Sequence, residues 1–81
     1  MITADLGRPL AIGCTAELYA WEGGQVLRLF FDWFGLYNIQ FEQHMAQAVH
    51  AAGLAVPAAG EILQINGHNG LIYERLVWQN I

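Results

Sequence analysis

The stretch IGCTAELYAWEGGQVLRLF, Ile12 to Phe30, carries most of what this chain says about its fold. From Thr15 to Trp21 the side chains alternate. Ala16, Leu18 and Ala20 fall on one side, and Thr15, Glu17, Tyr19 and Trp21 on the other, the period-two pattern of a strand. EGGQ, Glu22 to Gln25, then supplies two glycines that can take the positive φ a tight reversal needs. Val26 to Phe31 returns as a second strand, with Val26, Arg28 and Phe30 on one face and Leu27, Leu29 and Phe31 on the other. Arg28 is the one charge in this return strand, so both faces of the sheet are expected to be covered.

The flanking segments extend the hairpin into a domain. Arg8 to Cys14 reads as a strand before it, and DWFGLY, Asp32 to Tyr37, as a connection after it. Asn38 is expected to cap a helix from about Ile39 to Ala52, because its side chain can accept from an orphan amide. Gly53 ends that helix and Pro57 prevents its resumption. Glu61 to Asn66 and Leu71 to Val77 flank GHNG, Gly67 to Gly70, as a second hairpin. The expected order is β-β-β-α-β-β: an α+β fold with an antiparallel sheet of about five strands and one packed helix. The 81 residues allow one domain, residues 1–81, with no linker, repeat or low-complexity tract.

Within the helix, Ile39, Glu42, Met45, Ala46, Val49 and Gly53 share one face at about 100° per residue, and Gln40, Gln43, His44 and Gln47 share the opposite one. Glu42 thus stands in an apolar stripe, where a carboxylate must find a cation or be neutralised. Arg28, on the strand just before the helix, is the expected partner. The alternative is a Glu42 that reaches past the short helix to water.

Composition narrows the function. The hydrophobic share is 56% and the charged share 12%, against typical values of about 45–50% and 25%. A small body is mostly surface, so part of that apolar area is expected to meet another chain, and the simplest is a second copy in a homodimer. Net charge is −4, there is no lysine, and the arginines are Arg8, Arg28 and Arg75. Three scattered cations cannot drive binding to nucleic acid or to an anionic membrane surface. No signal peptide or transmembrane run is evident, and the single cysteine, Cys14, cannot form an internal disulfide. The expected setting is the cytoplasm.

Few residues carry chemistry. Cys14 lacks the neighbours of a nucleophile and reads as a small apolar residue. His44 and His50 lie about 120° apart around the helix, and His68 falls in a turn, so no metal site is expected. Trp33, Phe34, Leu36 and Tyr37 are too many large apolar side chains for a short surface connection. Together with Trp78 they are interface candidates, with packing over the sheet edge as the alternative.

Three stretches, IGCTAELYAWEGGQVLRLF, FEQHMAQAVHAAGLAVPAAGEI and GLIYERLVWQNI, resemble the N-terminal small lobe of the aminoglycoside phosphotransferase and choline kinase-like superfamily, within the protein kinase-like fold. They cover most of the chain from about Leu10 to Ile81. The resemblance implies that Gly13, Cys14 and Thr15 match a phosphate-covering loop, and that Arg28 matches the lysine that grips phosphates. Glu42 matches the helix partner of that lysine and Tyr73 the back of an adenine pocket, while the backbone of Glu74 and Leu76 matches the hinge. The sequence departs from the pattern at Arg28, whose planar fork replaces a compact ammonium, and at Trp78, which replaces a glycine. The matched words also run out at the hinge, before the large lobe that would carry the catalytic base and metal ligands. The expectation is therefore a chain without catalytic activity of its own: a stand-alone, self-associating, phosphotransferase-like small lobe with vestigial nucleotide residues and no cofactor. The alternative is a nucleotide-binding or regulatory module, taking Mg-ATP, that completes or competes with a separately encoded large lobe.

Overall fold

The computed structural model describes residues 2–54 and 57–74. Strand β1 is Ala11–Ile12, β2 is Ala16–Ala20, β3 is Val26–Phe30, β4 is Ala59–Ile65 and β5 is His68–Tyr73; the helix α1, Leu36–Ala51, lies between β3 and β4. The fold is α+β, in the order β-β-β-α-β-β, with one five-stranded antiparallel sheet ordered β1-β2-β3-β5-β4. The central hairpin pairs Ala16 with Phe30 and Ala20 with Val26. Its tip is one 3-10 turn, Glu22–Gly24, in which Gly23 and Gly24 take φ of 66° and 76°. Both values lie in the left-handed region that glycine enters without strain.

Four boundaries differ from the sequence reading. The first strand shrinks to two residues: Pro9 has no amide to give a ladder, and Gly13 turns back to donate to the Ala16 carbonyl at 2.9 Å. The helix begins at Leu36, not at Ile39, with Gly35 as its N-cap and Ile39 donating to the Gly35 carbonyl at 3.2 Å. Asn38 therefore lies inside the first turn, and Leu36 and Tyr37 are helical. The second hairpin reverses at Asn66 and Gly67, with φ of 53° and 83°, so GHNG is not its turn and His68 pairs with Ile65 as the first residue of β5. Asn-Gly is the dipeptide best suited to two successive positive φ values. Finally, β4 begins at Ala59, two residues earlier than expected, and carries a bulge. Its register jumps from Ala59↔Tyr73 to Ile62↔Leu71. The C-terminal half of the expected last strand, residues 75–77, lies outside the described residues, as do Leu76 and Trp78.

The sheet carries an apolar layer on each face. Ala16, Phe30, Ile39, Ala59 and Leu71 form the layer under the helix; Tyr19, Leu27, Leu29, Ile65 and Ile72 form the other. The second layer is covered by the N-terminal segment. Ile2 bridges Ile65, Asn66 grips both the amide and the carbonyl of Ala4 at 2.9 and 2.8 Å, and Ala4 and Leu6 are laid across the apolar surface.

The helix also sits differently from its helical wheel. Ile39 is fully buried and Ala46 packs against the same layer, but Met45 is half exposed. Gln43 turns toward β4 instead, its Nε2 donating to the Gly60 carbonyl at 2.7 Å, and Gln47 reaches Ala59 at 3.4 Å. Both carbonyls belong to β4, the edge strand of the sheet, and a glutamine side chain can donate to them where methionine cannot.

Candidate functional site

Arg28 is the centre of the site, in mid-β3 on the helix side of the sheet, two residues from Phe30. Strand alternation puts both side chains on one face, and the guanidinium carbon stands 5.1 Å from the Phe30 ring centroid. Nη1 of Arg28 is 3.0 Å from Oε2 of Glu42, and Nη2 donates to the Thr15 hydroxyl at 2.9 Å. The Tyr73 hydroxyl donates to the same Glu42 oxygen at 2.7 Å. Four elements of the chain thus meet at one cation: the loop before β2, the strands β3 and β5, and the helix.

The pair is not sealed in the core. The Arg28 and Glu42 side chains keep 32% and 24% of their exposure, so the pairing inferred from the helical wheel forms at the edge of the helix–sheet seam. Screening by water makes it weaker than a fully desolvated pair. Among the described residues no buried side-chain nitrogen or oxygen lacks a hydrogen-bond partner.

Burial pushes the Tyr73 phenol well above its ordinary value, and the hydrogen bond to Glu42 and the charge of that carboxylate push it further; Arg28 opposes this in part. The unfolded chain therefore gives up this proton near pH 10 while the fold retains it. Above that pH the unfolded state binds fewer protons than the native one, so stability falls as pH rises. Urea unfolding between pH 9 and 11 should show this decline, and Tyr73→Phe should make it shallower. An unchanged slope would mean that Tyr73 ionises as freely in the fold as in the unfolded chain.

The remaining residues that the sequence singled out are distributed as follows. Gly13 and Cys14 are exposed, and the Gly13 amide is spent on the Ala16 carbonyl. Thr15 is half-buried against Arg28. Glu74 is exposed and its amide donates to the Ala58 carbonyl at 2.9 Å. Phe34 is half-buried, stacked on Phe30 with centroids 5.1 Å apart, while Trp33 stands edge-on to Phe34 and is 68% exposed. Leu36 and Tyr37 are exposed on the first turn of α1.

Two features escaped the sequence reading. His68 Nδ1 lies 2.7 Å from Asp32 Oδ1, tying the end of β3 to the second hairpin; misplacing the turn concealed it. Phe41 and Met45 are exposed on α1, and their spacing from Tyr37 at i, i+4 and i+8 was a legible signal. Among the described residues no group of three histidine, cysteine or acidic side chains could hold a metal, and no helix is long and apolar enough to cross a membrane.

Comparison of the chain with protein-family models, with curated proteins and with solved structures finds no match. These comparisons identify no family for the chain.

Proposed function

We propose that this chain is a non-catalytic, self-associating domain of the aminoglycoside phosphotransferase and choline kinase-like small-lobe type, working in the cytoplasm, with Arg28–Glu42 as a structural ion pair. One observation carries the reading: both terminal nitrogens of Arg28 are already engaged, one by Glu42 and one by Thr15. The Gly13 amide, which a phosphate-covering loop would offer, is likewise turned inward to Ala16. Cation and loop hold each other, so a phosphate would compete with Glu42 and Thr15 for Arg28. A net charge of −4 further opposes an anionic nucleotide. The apolar composition, with large exposed side chains on α1, supports self-association.

A second reading, a nucleotide-binding module that works with a separate large lobe, is favoured by the same ion pair. A third-strand cation held by a helix glutamate is the arrangement that phosphate gripping requires in kinases. Light-scattering mass across a concentration series, with and without millimolar Mg-ATP, separates the two. The expected result is a dimer indifferent to nucleotide. A dimer that Mg-ATP dissociates, or a monomer that binds Mg-ATP, would replace the first reading with the second.

A further inference from the structure

The helix α1 has a second apolar face, turned away from the sheet. Tyr37, Phe41 and Met45 are 80%, 61% and 50% exposed, and Ala48 and Ala52 continue their line to the C-terminal end. The spacing of 4, 4, 3 and 4 residues keeps all five within about 80° of one another around the helix, a continuous stripe of the kind that packs against another helix. Trp33, in the connection just before the helix, is 68% exposed. Beside it lies an open groove of about 440 Å³, lined by Phe34, Asn38, Phe41, Glu42 and Met45.

Charge and area point to one occupant. Glu42 is the only acidic or basic residue among the sixteen of α1, apart from two histidines, and it turns toward Arg28. A helix facing water normally carries charge on its outer face. Two identical copies can approach through this stripe without setting like charges against each other, although each chain as a whole is at −4. Aromatic side chains offer about 150–250 Å² each, so the exposed parts of Trp33, Tyr37 and Phe41 amount to roughly 300–500 Å² per copy. Doubled by two-fold symmetry and joined by Met45, the patch approaches the roughly 1,000 Å² that a specific interface needs.

We infer that the outer face of α1, Tyr37–Phe41–Met45 with Trp33 at its end, is the contact surface for a second copy of this chain, helix against helix about a two-fold axis. The alanines at positions 48 and 52 let the two helices come close, and an aromatic ring of each copy enters the groove beside Phe41 of the other. This rests on the self-association proposed above and deepens it by placing the interface on the helix, with Glu42, the partner of Arg28, at the border of the groove.

Sedimentation equilibrium on the full chain tests it, with Phe41→Glu and Met45→Glu as surface variants and Ile12→Glu, on the exposed β1 edge, as a control. Phe41 and Met45 are exposed enough for their replacement to leave the fold intact, which far-ultraviolet circular dichroism checks. Each change acts twice across a two-fold axis, so either helix variant should weaken dimerisation at least about 100-fold while the control leaves it unchanged. A wild-type monomer at all concentrations would end the self-association reading itself. A wild-type dimer that survives both helix substitutions, or yields only to Ile12→Glu, would leave self-association standing and overturn the α1 interface.

Discussion

Phe30→Ala is expected to lower the free energy of unfolding by about 3–5 kcal/mol. The ring is 2% exposed and touches three kinds of partner: the buried Ala16, Ile39, Ala59 and Leu71, the stacked ring of Phe34, and the guanidinium of Arg28 above it. Truncation leaves a cavity under the helix that the sheet cannot close, and removes a stacking contact worth about 0.5–1.5 kcal/mol within that total. A domain of this size has only about 4–12 kcal/mol to lose. Urea denaturation should therefore show a much lower midpoint with little change in slope. Because Phe30 also supports Arg28, the change should loosen the contacts to Glu42 and Thr15. A loss below about 1.5 kcal/mol would mean that the helix does not pack on this face of the sheet as described.

On the opposite face, Leu27 and Gly70 form a complementary pair. Leu27 has no exposure, and a Cβ built on Gly70 would lie 2.6 Å from Leu27 Cδ1, with Leu29 Cδ1 at 3.5 Å and the Arg28 carbonyl at 3.6 Å. Gly70 is thus glycine because the leucine fills the space its side chain would need. Gly70→Ala should cost about 1–3 kcal/mol by overpacking, since a fully buried Leu27 has no solvent flank to swing into. Leu27→Ala should cost about 2–5 kcal/mol through the cavity it leaves. In the double variant the new methyl occupies part of that cavity. The combined loss should fall short of the sum by about 0.5–3 kcal/mol in a double-mutant cycle. Strict additivity would show that the two positions do not share the space.

The elements legible in advance were those whose signal is local. The alternation from Thr15 to Trp21 and the glycines at the following tip specify a hairpin whatever surrounds them. Gly53 ends the helix with φ of 86°, as expected of glycine at that position. Where local rules competed, the reading was less good. Asn38 is a good cap by residue type, but Gly35 sits extended and starts the helix a turn earlier, so a connection rich in aromatics became a helix face. Asn66–Gly67 and GHNG are both plausible turns one step apart, and the choice between them moved His68 from a loop into a strand.

The candidate site divides in the same way. Glu42 in an apolar stripe announced that it needed a cation, and with only three arginines in the chain the partner was nearly determined by the amino acids present. The additional hold of Thr15 on Arg28 and of Tyr73 on Glu42 spans 13 and 31 residues of sequence, and such contacts exist only once the sheet has set its register. The orientation of α1 is the clearest case. Its residues contain two apolar stripes, one through Ile39 and Ala46 and one through Tyr37, Phe41 and Met45, and periodicity alone cannot say which is buried. In the folded chain Gln43 and Gln47 donate to the Gly60 and Ala59 carbonyls of the edge strand β4, Ile39 is buried, and Met45 is half exposed. Composition and alternation thus set the strands, the helix and the Arg28–Glu42 pairing, because each depends on neighbours in sequence or on a scarcity of cations. Which face of the helix stayed exposed depended on its contacts with β4, 12 and 17 residues away in sequence, and those exist only in the folded chain.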